Sequence, residues 1–262
     1  MTAPSSSSTK TTLITGASSG LGAEMARQLA DRGHPLALCA RRTERLDELR
    51  AEIQAARPGH PVHVRALDVN DHDAVFETVR AFRDDFATEG RTLDRVVVNA
   101  GIGKGAPLGT GRFDANRETA MTNFVAALAQ VEAAMEIFRA QGSGHLVVVS
   151  SVSAVRGMPK AMTTYAATKA AVAHLAEGLR AELHGSAIKF SVIYPGYIAS
   201  EMNPTGPGTT PPPLLVSTER GVRAMVAAIE AERATAHVPG LPWEVLARVI
   251  KHAPMPLFRK LV

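Results

Sequence analysis

The stretch TTLITGASSGLG, residues 11–22, decides the fold. A short apolar run rich in β-branched residues, Thr11 to Thr15, stops at a glycine cluster, as a buried parallel strand does. A helix period follows from about Gly20 to Arg32. Glycine at 16, 20 and 22 lets the backbone turn without Cβ clashes and come close to a phosphate group, whose charge the free N–H groups and dipole of the next helix start would stabilise. The spacing G-x-x-x-G-x-G departs from the commoner G-x-G-x-x-G, so a Gly/Ser-rich αβ turn without ligand stays as the lesser reading of the turn alone.

The same cycle recurs along the chain. PLALCA reads as a strand, Thr43 to Ala56 as a helix, VHVRAL as a strand, Asp71 to Phe86 as a helix and LDRVVV as a strand. The second half continues with a helix over Ala115 to Arg139, the strand HLVVVS, a helix from about Thr164 to Leu183 and the strand IKFSVIY. A Gly/Pro-rich stretch from Tyr197 to Pro213 interrupts the cycle before a helix over Glu219 to Arg233 and a last short strand, TAHV. Asn70 is placed to cap the third helix, and Gly33 follows the first as a C-terminal glycine often does. No linker separates these units, so the expectation is a single α/β domain, doubly wound and Rossmann-type, with a parallel seven-stranded sheet. Residues 1–10 are expected to be a flexible tail, 11–240 the catalytic domain, and 241–262 an amphipathic extension of it.

Composition narrows the function. With 45% hydrophobic and 21% charged residues, the chain is neither disordered nor coiled-coil. A formal charge of +4 comes from basic residues spread over the whole length, which argues against nucleic-acid binding. Cys39 is the single cysteine, which excludes an intramolecular disulfide or a thiolate metal cluster; no metal site is expected, and a reducing, cytoplasmic setting is the simplest reading. Neither a signal peptide nor a long uninterrupted apolar run is present, so secretion and a membrane span are not expected. The C-terminal tip LFRKLV is basic and apolar; internal packing or a subunit contact is preferred over peripheral membrane contact.

The ends of the early strands carry the candidate ligand contacts. The second strand ends in Cys39-Ala40-Arg41-Arg42, where an acid would be needed to bond the adenosine ribose of NAD. Two arginines suit a 2′-phosphate instead and favour NADP; the competing reading leaves both solvated at a helix start. Asp68, followed by Val69, ends the third strand, and Asn99-Ala100-Gly101 ends the fourth, at the edge where an open α/β sheet binds ligand.

Tyr165 and Lys169 form Y-A-A-T-K, and a spacing of four puts both on one helix face. A free phenol titrates near pH 10, so a tyrosine that exchanges protons at neutral pH needs positive charge beside it, which Lys169 supplies. Ser151 follows the strand HLVVVS and offers a hydroxyl to a substrate oxygen, with Ser150 and Ser153 as competitors. Asn123 lies within a helix, where asparagine has poor propensity; a solvent-facing place and a buried, water-linked one both account for it.

Together TGASSGLG, NAG, Asn123, the paired serines, YAATK and PGYIAS resemble the short-chain dehydrogenase/reductase family over roughly residues 10 to 240. The resemblance implies that Gly16, Ser18, Ser19, Gly20, Leu21 and Gly22 line the cofactor phosphates and that Arg41, with Arg42, selects NADP. It places Asp68, Val69, Asn99, Ala100 and Gly101 along the adenine and ribose. Pro195, Gly196, Ile198 and Ser200 would lie beside the nicotinamide. It makes Tyr165 the proton donor or acceptor, Lys169 the group that binds the nicotinamide ribose and tunes that tyrosine, Ser151 the orienting hydroxyl, and Asn123 the holder of a relay water. Ser151 and Tyr165 are 14 positions apart, one more than the family's common interval, so a small bulge is expected between them and Ser153 stays in competition.

The expected activity is hydride transfer between NADP(H) and a carbonyl or secondary alcohol. Val155, Met158, Met162, Tyr197 and Met202 form a mostly apolar candidate wall, which favours a hydrophobic small molecule, while packing within the protein is the plainer use of several of them. A 3-oxoacyl thioester reductase is an alternative, and an NADP-binding regulatory or structural protein without turnover is another. The resemblance also implies a homodimer or homotetramer.

Overall fold

The computed structural model describes residues 9–205, 208 and 210–261; most of the expected N-terminal tail and Gly206 of the Gly/Pro-rich stretch lie outside them. Its centre is a seven-stranded parallel sheet in the order β3-β2-β1-β4-β5-β6-β7. The strands are β1 (Thr12–Thr15), β2 (Leu36–Ala40), β3 (Val62–Ala66), β4 (Arg95–Val98), β5 (Ser143–Val149), β6 (Ala187–Pro195) and β7 (Thr235–Val238). The order reverses between β1 and β4, so the loops that leave those two strands diverge and open a crevice at their carboxyl ends.

Burial on both faces explains why the inner strands β1, β2, β4 and β5 run apolar with little alternation, whereas the edge strand β3, VHVRA, alternates and is only partly buried. Leu13, Val96, Val98, Leu146, Val148 and Val192 face one core with Phe82, Phe86 and Phe138; Ile14, Val97, Val147 and Ile193 face the other with Met25, Leu29 and Met225. Each fully buried large apolar side chain contributes about 1.5–3 kcal/mol relative to exposure, so both helix layers are anchored. The first layer holds α3 (His72–Thr88), α5 (Ala126–Gln141) and α6 (Met162–Glu182), and the second α1 (Gly20–Asp31), α2 (Thr43–Ala56) and α7 (Thr218–Glu230).

Local differences from expectation have local causes. The cap of α3 is Asp71, not Asn70: its carboxylate accepts from the N–H of Ala74 at 3.1 Å. The helix expected over Ala115 to Arg139 is interrupted. The segment α4 (Phe113–Ala120) passes into a π-helical turn, Met121–Val125, before α5 begins. Such turns insert one residue into the ladder and re-aim the side chains around them. A short 3₁₀ turn, Val152–Val155, lies between Ser151 and Tyr165. The chain ends in α8 (Trp243–His252) and α9 (Met255–Leu261), and no described helix is long and apolar enough to cross a membrane.

Candidate active site

At the crevice the glycine turn is sterically committed. Gly16 sits at φ +65°, and a Cβ there would lie 2.9 Å from Ala100 Cα. A Cβ on Gly22 would come within 2.4 Å of Gly16 O and 2.8 Å of Asn99 Nδ2, so the turn admits only glycine there without moving backbone. Asn99 fastens the loop after β4 to the loop after β1, donating from Nδ2 to Thr15 O at 2.9 Å. Thr15 Oγ1 in turn accepts from the N–H groups of Asn99 and Ala100. Ser19 is extended at the start of α1 and does not cap it, and no acidic residue stands in the helix's first turn. Glycines that clear backbone space beside an uncapped helix start fit a pyrophosphate. Leu21 is half-buried and packs on the α1 side of the core.

Arg42, rather than Arg41, reaches back to this turn. Its Nε donates to Ser18 Oγ at 3.3 Å and its Nη2 to Ser19 Oγ at 2.7 Å. Arg41 is exposed and takes part in no hydrogen bond among the described residues. Asp68 is turned onto its own loop, where Oδ1 accepts from Asn70 N and Asn70 Nδ2, and Val69 is buried in the core beside it.

The four candidate chemical residues lie where β4, β5 and the helices α4 to α6 meet. Tyr165 and Lys169 are one turn apart on α6, both buried, with Lys169 Nζ 6.0 Å from the tyrosine ring centroid. Lys169 Nζ donates to Val149 O at 3.0 Å, and burial lowers its pKa to about 8. Burial raises the Tyr165 phenol above its ordinary value, and a hydrogen bond with Ser151 works in the opposite direction. Ser151 is thus the serine at Tyr165. Ser150 Oγ is spent on Lys169 O at 2.7 Å, and Ser153 Oγ donates to Ser151 Oγ at 2.9 Å.

Asn123 is 1% exposed, which disposes of a solvent-facing place. Within the π-helical turn its side chain bonds the backbone of Ile102 twice, Oδ1 accepting from N at 2.8 Å and Nδ2 donating to O at 2.9 Å. A Cβ on Gly101 would lie 3.1 Å from Asn123 Oδ1 and 3.2 Å from Lys169 Nζ, so the glycine lets both polar groups approach the chain. Asn123 therefore holds the loop after β4 in place.

Beyond β6 the chain passes Pro195 and Gly196 into the Gly/Pro-rich stretch. Ile198 is buried and pairs with Val216 as an isolated bridge. Ser200 Oγ donates to Ile198 O and accepts from Asn203 N, both within its own loop, and its Cβ lies 3.5 Å from where a Cβ on Gly20 would be. Two contributors to this region had no motif to reveal them. Trp243 of α8 packs on Gly196, where a Cβ would meet its indole at 2.2 Å, and on Tyr197 edge-on at 5.4 Å between centroids. Arg156 donates to the carbonyls of Ile250 and Ala253 and lies 4.3 Å from the Phe258 ring centroid. Val155 and Met158 pack against Ile250, Ala253 and Phe258, so these two are used in packing against the C-terminal helices. Met162, Tyr197 and Met202 remain substantially exposed, at 39%, 38% and 46%.

Residues 10–207 match the family described as short chain dehydrogenase. The chain is 50% identical over 248 residues to an uncharacterised oxidoreductase of Mycobacterium tuberculosis, covering 95% of each. Among solved structures, it is similar to a short-chain dehydrogenase from Sphingobium yanoikuyae in complex with NADPH (28% identity, TM-score 0.78, 92% of this chain and 93% of that one). It is also similar to the bulky-bulky ketone specific alcohol dehydrogenase from Comamonas testosteroni (26% identity, TM-score 0.77, 92% and 90%).

Proposed function

The chain belongs to the short-chain dehydrogenase family, and from that premise we propose that it transfers hydride between NADP(H) and the carbonyl or secondary alcohol of a hydrophobic substrate. The observation that carries the reading is the convergence of Tyr165, Ser151 and Lys169 at the carboxyl ends of β4 and β5, with Gly101 and Asn123 closing the same volume. The bound nicotinamide supplies or accepts the hydride.

Tyr165 gives its phenolic proton to the substrate oxygen in reduction and takes it back in oxidation, while Ser151 donates a hydrogen bond to that oxygen. A phenol that works near neutral pH needs its pKa lowered by about 3 units, roughly 4 kcal/mol. Burial alone moves Tyr165 the wrong way. The Lys169 cation, 6.0 Å from the ring centroid, favours the phenolate. Ser151 adds to it by bonding the charged form.

The preference for NADP rests on Arg42, whose guanidinium reaches Ser18 and Ser19 at the turn where the adenosine end would lie. The similar Sphingobium enzyme is described with NADPH, which agrees. Exposed Met162, Tyr197 and Met202 favour an apolar substrate, in line with the bulky ketones of the Comamonas enzyme. The test is isotopic: NADPH carrying deuterium at both nicotinamide C4 positions is incubated with the protein and a bulky aryl ketone. The reading expects deuterium at the carbinol carbon of the alcohol; an unlabelled product, or none across a panel of hydrophobic ketones, refutes it.

A further inference from the structure

The most heavily coordinated exposed anion in the crevice belongs to the protein itself. Glu201 follows Ser200 in the loop after β6, and its carboxylate accepts from Arg42 Nη1 and Nη2 at 3.1 Å each. Arg45 Nη1 donates to Oε1 at 2.7 Å and Ser19 Oγ to Oε2 at 3.0 Å. Arg45 lies on α2, so donors from the glycine turn, the end of β2 and the next helix converge on one carboxylate. These donors hold the Glu201 pKa down to about 2, so it is an anion throughout the neutral range.

We propose that Glu201 is an internal competitor for a phosphate cradle made of Arg42, Arg45 and Ser19, and that it sets how tightly the chain takes a 2′-phosphorylated nucleotide. The proposal rests on the NADP reading above and goes beyond it by assigning Arg45 to the anion site and a carboxylate to oppose it. The Arg42 fork has two parallel donors, and both are given to Glu201. A phosphate on the same fork would bring two anions into contact, so one must leave as the other arrives. The two guanidiniums make the exchange favourable for the anion with more charge and more acceptor oxygens.

The exchange has a mechanical consequence. Met202, next to Glu201, lies against Gly103 in the loop after β4, where a Cβ would meet its Cγ at 2.7 Å. The loop thus bridges the crevice from the Arg42 side to the β4 side, pinned by the Glu201 carboxylate at one end. Displacing that carboxylate releases the pin beside Ser200, so a nucleotide that carries the phosphate acts on the loop and one that lacks it does not.

Calorimetric binding of 2′,5′-ADP and 5′-ADP to the wild type, E201Q and R45A tests this without turnover. The expected result is that E201Q tightens 2′,5′-ADP by about five-fold, the scale of one or two exposed ion pairs, and leaves 5′-ADP unchanged. R45A weakens 2′,5′-ADP selectively. Wild-type discrimination that E201Q leaves unaltered or diminishes would overturn the competitor role while leaving the NADP reading intact. If neither wild type nor E201Q separates the two nucleotides, the NADP reading falls and this inference with it.

Discussion

Lys169 Nζ stands 6.0 Å from the centre of the Tyr165 ring, one helical turn along α6, and its hydrogen bond goes to the Val149 carbonyl. The pair joins a buried base to a buried acid, and each is disturbed by burial in its own direction: the phenol upward, the ammonium downward to about 8. A charge that the fold must desolvate is retained where the proposed chemistry uses it.

That cost is measurable. Below pH 8 Lys169 is protonated both folded and unfolded, and the burial penalty is present in full. Between about 8 and the ordinary 10.5 the unfolded chain keeps the proton and the folded one releases it, so stability rises with pH across that window. Relative to Lys169→Met, the wild type should gain on the order of 3 kcal/mol from pH 8 to 10.5, read by denaturant titration of both proteins. A constant difference over that range would show that the amine is not desolvated.

A second buried base sits at the opposite end of the sheet. Arg95 Nε donates to His145 Nδ1 at 3.0 Å, which places the imidazole proton on Nε2, facing Ser191 Oγ at 2.8 Å. Burial and then the Arg95 charge lower the His145 pKa to about 2. As pH falls below the ordinary 6.5 the unfolded chain gains a proton that the folded one refuses, and stability drops by about 1.4 kcal/mol per pH unit. His145→Gln should flatten this acid limb in equilibrium unfolding between pH 6.5 and 4.5. An unchanged slope would mean that other groups carry it.

Two glycines separate steric demand from propensity. Gly22→Ala would place a Cβ 2.4 Å from the Gly16 carbonyl, so dinucleotide affinity should fall by about ten-fold or more, as read by NADPH fluorescence titration. Gly178→Ala, at an exposed position of α6, meets nothing within 4 Å and should stabilise the protein by about 0.5–1 kcal/mol. A Gly22→Ala protein that binds NADPH normally would remove the turn from the site.

What the sequence made legible follows from periodicity and from glycine. The inner strands are apolar because both faces are covered, and the turn at Gly16 to Gly22 announces itself because only glycine clears Gly16 O and Ala100. The spacing of Tyr165 and Lys169 needed only helix geometry. Contacts made across the fold left no such trace. The π-helical turn at Asn123 depends on the backbone of Ile102, the choice of Ser151 over Ser153 depends on where α6 sets Tyr165, and Glu201 meets Arg42 and Arg45 from 159 and 156 positions away. Arg42 and Arg41 are indistinguishable as letters; only the direction of the chain after β2 sends one back to Ser18 and Ser19. Trp243 and Arg156 show why the C-terminal helices escaped a functional reading: neither residue lies in a motif, and their contacts with Gly196 and with the carbonyls of Ile250 and Ala253 join distant parts of the chain.

In the proposed reaction Tyr165 moves the proton. The most direct measurement of that step is turnover of a ketone that the wild type reduces, compared with Tyr165→Phe, with NADPH affinity determined for both proteins by fluorescence titration. Tyr165→Phe removes only the hydroxyl from a buried ring. The expected outcome is NADPH binding within about two-fold of wild type and turnover lower by about 10²–10⁴, the scale of general acid catalysis. Near-normal turnover by Tyr165→Phe would contradict the assignment outright.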